Sequence, residues 1–160
     1  MQVIESSLHA HLWPVAAIVL TCWITFHDGK LGVTQVMDAH FDSKRFPADA
    51  ITYLEGQNAQ GTVFAPDNWG GYLIYRAYPQ IKVAVDDRHD FYGEQFLKSY
   101  LQLVHGEPGW ENFLQQYPAR YVVSPKGSAL ASILAESAIW QPVYSDQVAV
   151  IFVFAKPTTR

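Results

Sequence analysis

The sequence predicts an α/β fold: a three-layer, Rossmann-like, mainly parallel sheet with a C-terminal antiparallel hairpin, preceded by one transmembrane helix. Three observations predict it. A charge-free apolar stretch lies near the start, short apolar runs then alternate with segments of helical period, and two β-rich runs flank a polar turn at the end.

The chain has 160 residues, enough for one domain with a sizeable core. Charged residues make up 16% of it, against about 25% in an ordinary soluble domain, while hydrophobic residues reach 49%, so disorder is excluded and an apolar segment is implied. The net charge of -4 leaves no basic surplus for a phosphate backbone and excludes nucleic acid as the expected partner. The single cysteine, Cys22, rules out an intramolecular disulfide and a multi-cysteine zinc knuckle.

From Ser6 to Phe26 there is no Asp, Glu, Lys or Arg. The dense part, Leu12 to Phe26, would be about 22 Å long as a helix, short of a ~30 Å bilayer; extension back to Leu8 through His9 and His11 nearly closes the gap. Trp13 and Trp23 then serve as interfacial rings of a membrane anchor over 1–28. A signal peptide fits less well, because no basic residue precedes the run and no small-x-small site follows it. Lys30 alone points weakly to a cytoplasmic C-terminal side. Residues 29–46 are polar and patternless and read as a linker.

The domain over 47–156 begins with Pro47 in the first turn of a helix whose Ala50, Ile51 and Leu54 share a face before Gly56. Thr62–Ala65 and Lys82–Val85 read as strands, with an aromatic helix from about Trp69 to Tyr78 between them. Phe96, Leu97, Tyr100, Leu101 and Val104 mark a further helix. After the Gly106-Glu107-Pro108-Gly109 break, Trp110, Phe113, Leu114 and Tyr117 mark another. Tyr121-Val122-Val123 reads as a strand buried on both faces, and Leu130, Ile133, Leu134 and Ala138 as a helix face. Pro142–Tyr144 and Val148–Phe154 flank Ser145-Asp146-Gln147 as a hairpin. Val63, Val83 and Val122 are the expected central-strand residues, with Val150 on the antiparallel return.

Ligands of open α/β sheets bind beyond the carboxyl ends of the strands, which directs attention to the loops after Ala65 and Val85. The first holds Asn68, Trp69, Gly70 and Gly71. It can present helix N-terminal N–H groups to an anion, or it can be an Asx-type cap on Asp67 or Asn68 with glycines that let the helix pack closely. Phosphate-loop and dinucleotide patterns are absent, and no cofactor is expected.

The second loop holds Asp86, Asp87, Arg88, His89 and Asp90, the densest ionisable cluster in the chain. Metal binding and acid/base work are open to such a set. Against them, neighbouring residues project to opposite sides and Arg88 neutralises a carboxylate, which favours a pairing of Arg88 with Asp86 or Asp90 that pins the loop. No metal site is expected. His9, His11, His27, His40 and His105 lack ligand spacing and read as solvent or interface residues. Ser124-Pro125-Lys126-Gly127-Ser128 is not a nucleophile elbow. Trp69, Tyr72, Tyr75 and Tyr78 are either a core stripe or a stacking surface for sugar rings.

Taken in order, Phe46-Pro47-Ala48-Asp49-Ala50, Asn68-Trp69-Gly70-Gly71-Tyr72-Leu73, Val85-Asp86-Asp87-Arg88 with Asp90-Phe91-Tyr92-Gly93, Pro108-Gly109-Trp110, and Val143-Tyr144-Ser145-Asp146 with Val148-Ala149-Val150 form a familiar series. It resembles the C-terminal soluble domain of bacterial GT-C-type, dolichyl-phosphate-mannose-mannosyltransferase-like polytopic membrane proteins. The resemblance covers about two-thirds of the chain. It implies an extracytoplasmic, periplasmic domain after a last transmembrane helix, and it outweighs the single Lys30. The catalytic carboxylate of such enzymes belongs to a loop upstream of anything in this chain, so no catalytic residue carries over. The expectation is therefore a non-catalytic, membrane-anchored domain for interaction or substrate positioning, belonging to a fragment of a longer protein. The alternative is a single-pass accessory subunit whose helix packs on partner subunits. Expected partners are membrane lipids, other membrane-protein subunits and a lipid-linked sugar.

Overall fold

A computed structural model of the chain describes residues 12–38 and 41–155. Leu8 to His11 of the expected span, His40, and Lys156 at the expected domain end lie outside the described residues. Two compact units divide at Phe41 and Asp42.

The first unit contains helix α1 (Leu12–Phe26), strand β1 (Lys30–Leu31) and strand β2 (Thr34–Gln35). The segment read as a patternless linker thus holds a small antiparallel ladder, Lys30 opposite Gln35 and Leu31 opposite Thr34. Helix α1 stops at Phe26 because Asp28 and Gly29 take left-handed backbone, with φ of 53° and 75°. The Gly29 N–H closes the end by donating to the Ile24 carbonyl at 2.8 Å.

The length of the described helix overturns the transmembrane expectation. At 15 residues α1 is about 22 Å long, and no helix among the described residues is long and apolar enough to cross a membrane. The single-pass anchor and the part assigned in it to Trp13 and Trp23 fall with that expectation, and so does the membrane-anchored, periplasmic localisation that the resemblance implied. The two tryptophans are exposed on α1, Trp23 with the His27 ring stacked against it.

The second unit is α/β with a mixed five-stranded sheet. Its elements are α2 (Ala48–Gly56), β3 (Gly61–Phe64), α3 (Asp67–Ala77), β4 (Ile81–Val83), a 3₁₀ turn (His89–Phe91), α4 (Glu94–His105), α5 (Glu111–Gln116), β5 (Tyr121–Pro125), α6 (Ala129–Glu136), β6 (Trp140–Ser145) and β7 (Ala149–Phe154). The strand order is β4-β3-β5-β7-β6. Strand β3 runs parallel to β4 and β5, whereas β7 is antiparallel to both β5 and β6. "Mainly parallel" is therefore corrected to mixed. The closing hairpin lays β7 along the whole of β5, Tyr121 opposite Val153 through Pro125 opposite Ala149, and so enters the sheet as two strands.

Consecutive apolar residues feed opposite faces, as the two-residue period of a strand requires. Val63, Val123 and Ile151 meet α2 and α3 through Ile51, Leu54, Trp69 and Leu73. Phe64, Val122 and Phe152 meet α4, α5 and α6 through Leu103, Phe113, Leu130 and Leu134. Helices thus cover both faces. Val63 and Val122 are fully buried in the expected strands, while Val83 lies half-buried on the edge strand β4 because the chain crosses back over β3 to form β5. Ala138 lies beyond α6, which ends at Glu136. At the hairpin, Asp146 Oδ1 accepts the Val148 and Ala149 N–H groups at 2.6 and 2.7 Å and fixes the turn.

Candidate functional site

Parallel strands β3 and β4 deliver both predicted loops to one end of the sheet, where α3 begins. Asp67 and His89 join the two loops, with His89 Nε2 2.7 Å from Asp67 Oδ2.

Asp86 follows the end of β4 and is only 2% exposed. A carboxylate removed from water this far requires compensation, and it receives it. Arg88 donates from Nε to Oδ2 at 2.9 Å and from Nη2 to Oδ2 at 2.5 Å, and its backbone N–H reaches Oδ1 at 3.1 Å. Tyr92 Oη donates to Oδ1 at 3.1 Å and accepts the Asp86 N–H at 3.1 Å, closing a ring over the loop. The Arg88 hydrogen bonds hold the Asp86 carboxyl below the usual carboxylate range against the opposing effect of burial. Burial pushes the Tyr92 phenol up, so it remains a donor at neutral pH.

The structure thus selects Asp86 as the partner of Arg88. Asp87 and Asp90 are exposed. Among the described residues no group of three His, Cys, Asp or Glu side chains could hold a metal ion. His27 lies over Trp23 with ring centroids 4.1 Å apart, and His105 Nδ1 is 3.8 Å from Glu107 Oε1.

The loop after β3 resolves toward packing. The N–H groups opening α3 have internal acceptors: Asp67 N–H donates to Tyr100 Oη at 3.0 Å, Asn68 N–H to Asp67 Oδ1 at 2.8 Å, and Trp69 N–H to the Pro66 carbonyl at 2.9 Å. These three N–H groups are thus already paired within the protein, which fits the packing alternative better than the anion-binding one. Trp69 is buried and its indole N–H donates to the Arg45 carbonyl at 2.9 Å, tying the start of the domain to α3. Gly70 permits close approach, since a Cβ there would lie 2.5 Å from the Val85 carbonyl oxygen. Gly71 faces open space. Of the aromatic set, Trp69 and Tyr72 are core, whereas Tyr75 and Tyr78 are exposed.

A crevice of about 350 Å³ opens beyond the carboxyl ends of β3 and β5, lined by Pro66, Asp67, Asn68, Tyr100, Ser124 and Ser128 among others. Asp67 and Asn68 reach it from the expected loop. Ser124 comes from the carboxyl end of β5 and Ser128 from the turn after it, in a segment that the sequence marks only as not a nucleophile elbow; the rule about strand ends, applied to this third strand, is the signal that finds them. Tyr100 enters from α4 as a helix-face aromatic, with nothing in its spacing to separate it from core. Burial pushes its phenol well up. Ser128 also caps α6, its Oγ accepting the Ala131 N–H at 3.1 Å.

No protein-family model, curated protein or solved structure matches the chain.

Proposed function

We propose that the α/β unit is a non-catalytic domain that serves interaction or substrate positioning, as the resemblance to the C-terminal domain of GT-C glycosyltransferase-like proteins implies. The observation that carries this reading is the state of Asp86. A general base or nucleophile needs a free lone pair aimed at a reacting atom, and a metal ligand needs an unneutralised carboxylate. Both oxygens of Asp86 are instead occupied by Arg88 and Tyr92. What the cluster does is pin the loop, leaving Asp87, His89 and Asp90 on its outer side as a contact surface. Asp86→Asn should lower the melting temperature, with Asp90→Asn leaving it in place. Loss of a turnover in either variant at an unchanged melting temperature would replace this reading with an enzymatic one.

A second reading, an accessory subunit of a larger complex, is favoured by α1. Val15, Ile18, Val19, Leu20, Trp23 and Phe26 are exposed around it. The Thr21 and Thr25 hydroxyls donate to the Ala17 and Thr21 carbonyls at 2.9 and 2.8 Å, so they offer little to water. On this reading α1 packs on partner subunits. Val19→Glu should release the chain from a purified complex; retention of the partners by that variant would contradict it.

A further inference from the structure

We propose that the crevice between the carboxyl ends of β3 and β5 binds a small, uncharged, hydroxyl-bearing organic molecule. The inference rests on the positioning reading and names the class of molecule positioned. From β3 the chain crosses to β4 on one side and later returns to β5 on the other, so the loops after β3 and β5 diverge and leave a gap between them.

The hydrogen-bond inventory identifies what the gap offers. Ser124 is fully buried, and its hydroxyl lies 2.8 Å from Ser128 Oγ. If Ser128 donated across this pair, the Ser124 hydrogen would be buried without an acceptor, which is the costly arrangement. Ser124 therefore donates. Ser128 Oγ accepts from it and from the Ala131 N–H, and the Ser128 hydrogen is left for the crevice. Asn68 is exposed at the rim, and its carboxamide, both donor and acceptor, makes no hydrogen bond among the described residues. Asp67 adds an acceptor through the lone pairs that its contacts with His89 and the Asn68 N–H leave, and Val104 and Leu130 add an apolar wall.

A donor, an amide and an acceptor beside an apolar wall match a molecule whose hydroxyls donate and accept and whose C–H face is apolar. Charged ligands match less well. No Lys or Arg lines the crevice, its single carboxylate already holds His89, and the first three N–H groups of α3 are taken. The volume, about 350 Å³, accommodates a six-membered ring.

The test is titration of the isotopically labelled full chain with myo-inositol, followed by amide chemical shifts, with inorganic phosphate and Mg²⁺ as charged comparisons. Inositol should shift the amides of Asn68 and of Ser128 to Ala131 saturably. Asn68→Ala, which breaks no internal bond, should weaken binding about 3- to 10-fold, as loss of one hydrogen bond does. Ser128→Ala should do the same and Ser128→Thr, which keeps hydroxyl and cap, should recover it. Absence of saturable shifts there, tighter binding of phosphate or Mg²⁺ at the same amides, or indifference to Asn68→Ala would overturn the site while leaving the interaction reading standing. Conversion of bound inositol to new signals would overturn the positioning reading and leave the site in place.

Discussion

Arg88 forks onto Asp86 from the solvent side: its side chain is 65% exposed, yet Nε and Nη2 both reach a carboxylate that is almost wholly buried. The charge that needs neutralising is therefore inside, and the group that neutralises it is a removable surface residue. Arg88→Ala should lower the melting temperature because it strands the Asp86 charge. Arg88→Lys should recover only part of the loss, since an ammonium cannot reproduce the planar fork. Thermal unfolding at pH 7 checks both. Equal melting temperatures for the Ala and Lys variants would contradict the fork.

Acid should act through the same carboxylate. The folded Asp86 titrates below its unfolded value of about 3.9, so the unfolded chain binds the proton first as pH falls. Its stabilisation is present in full above that unfolded value and is lost as pH drops through the lower folded one. Between pH 5 and 2, Asp86→Asn should show a flatter decline in melting temperature than wild type.

At the alkaline end Tyr144 has the opposite sign. Burial, followed by its hydrogen bond to Asp146 Oδ2 at 3.0 Å, pushes its phenol up to about 12. The folded state keeps the proton that the unfolded state loses near pH 10, so this contribution is present below 10 and disappears between about 10 and 12. Tyr144→Phe should flatten the fall in stability over that interval, as denaturant titrations at pH 9, 10 and 11 would show.

The two adjacent glycines should separate cleanly. A Cβ at Gly70 would lie 2.5 Å from the Val85 carbonyl oxygen and 2.7 Å from Asp86 Cα, so Gly70→Ala forces α3 off the strand end and should cost about 1–3 kcal/mol. Gly71→Ala meets nothing and should gain roughly 0.5–1 kcal/mol from helix propensity. Chemical denaturation of the two variants checks the contrast, and a tolerated Gly70→Ala would contradict the close packing.

The parts of the fold legible in the sequence are those set by local period. The face of α2 with Ala50, Ile51 and Leu54, the buried runs at Val63 and Val122, and the hairpin turned at Asp146 all follow from spacing and turn chemistry. Sheet order does not, because pairing between distant strands leaves no local mark; hence Val83 was expected centrally and lies on the edge. The apolar run Leu12–Phe26 is a helix with the expected C-terminal end, but the membrane reading needed more length than those 15 residues, and no helix among the described residues supplies it. In the site, the Arg88 pairing was legible from adjacency. The occupied N–H groups of α3 were not, since one acceptor is Tyr100 on a distant helix.

The central claim, that Asp86 and Arg88 act as one structural lock, is tested most directly by a double-mutant cycle in thermal unfolding with Asp86→Asn, Arg88→Ala and the pair combined. The lock predicts strong non-additivity: with the buried charge removed, Arg88→Ala should add little further loss, and the combined variant should melt close to Asp86→Asn alone. Melting-temperature losses that simply sum, or an Asp86→Asn variant as stable as wild type, would contradict it.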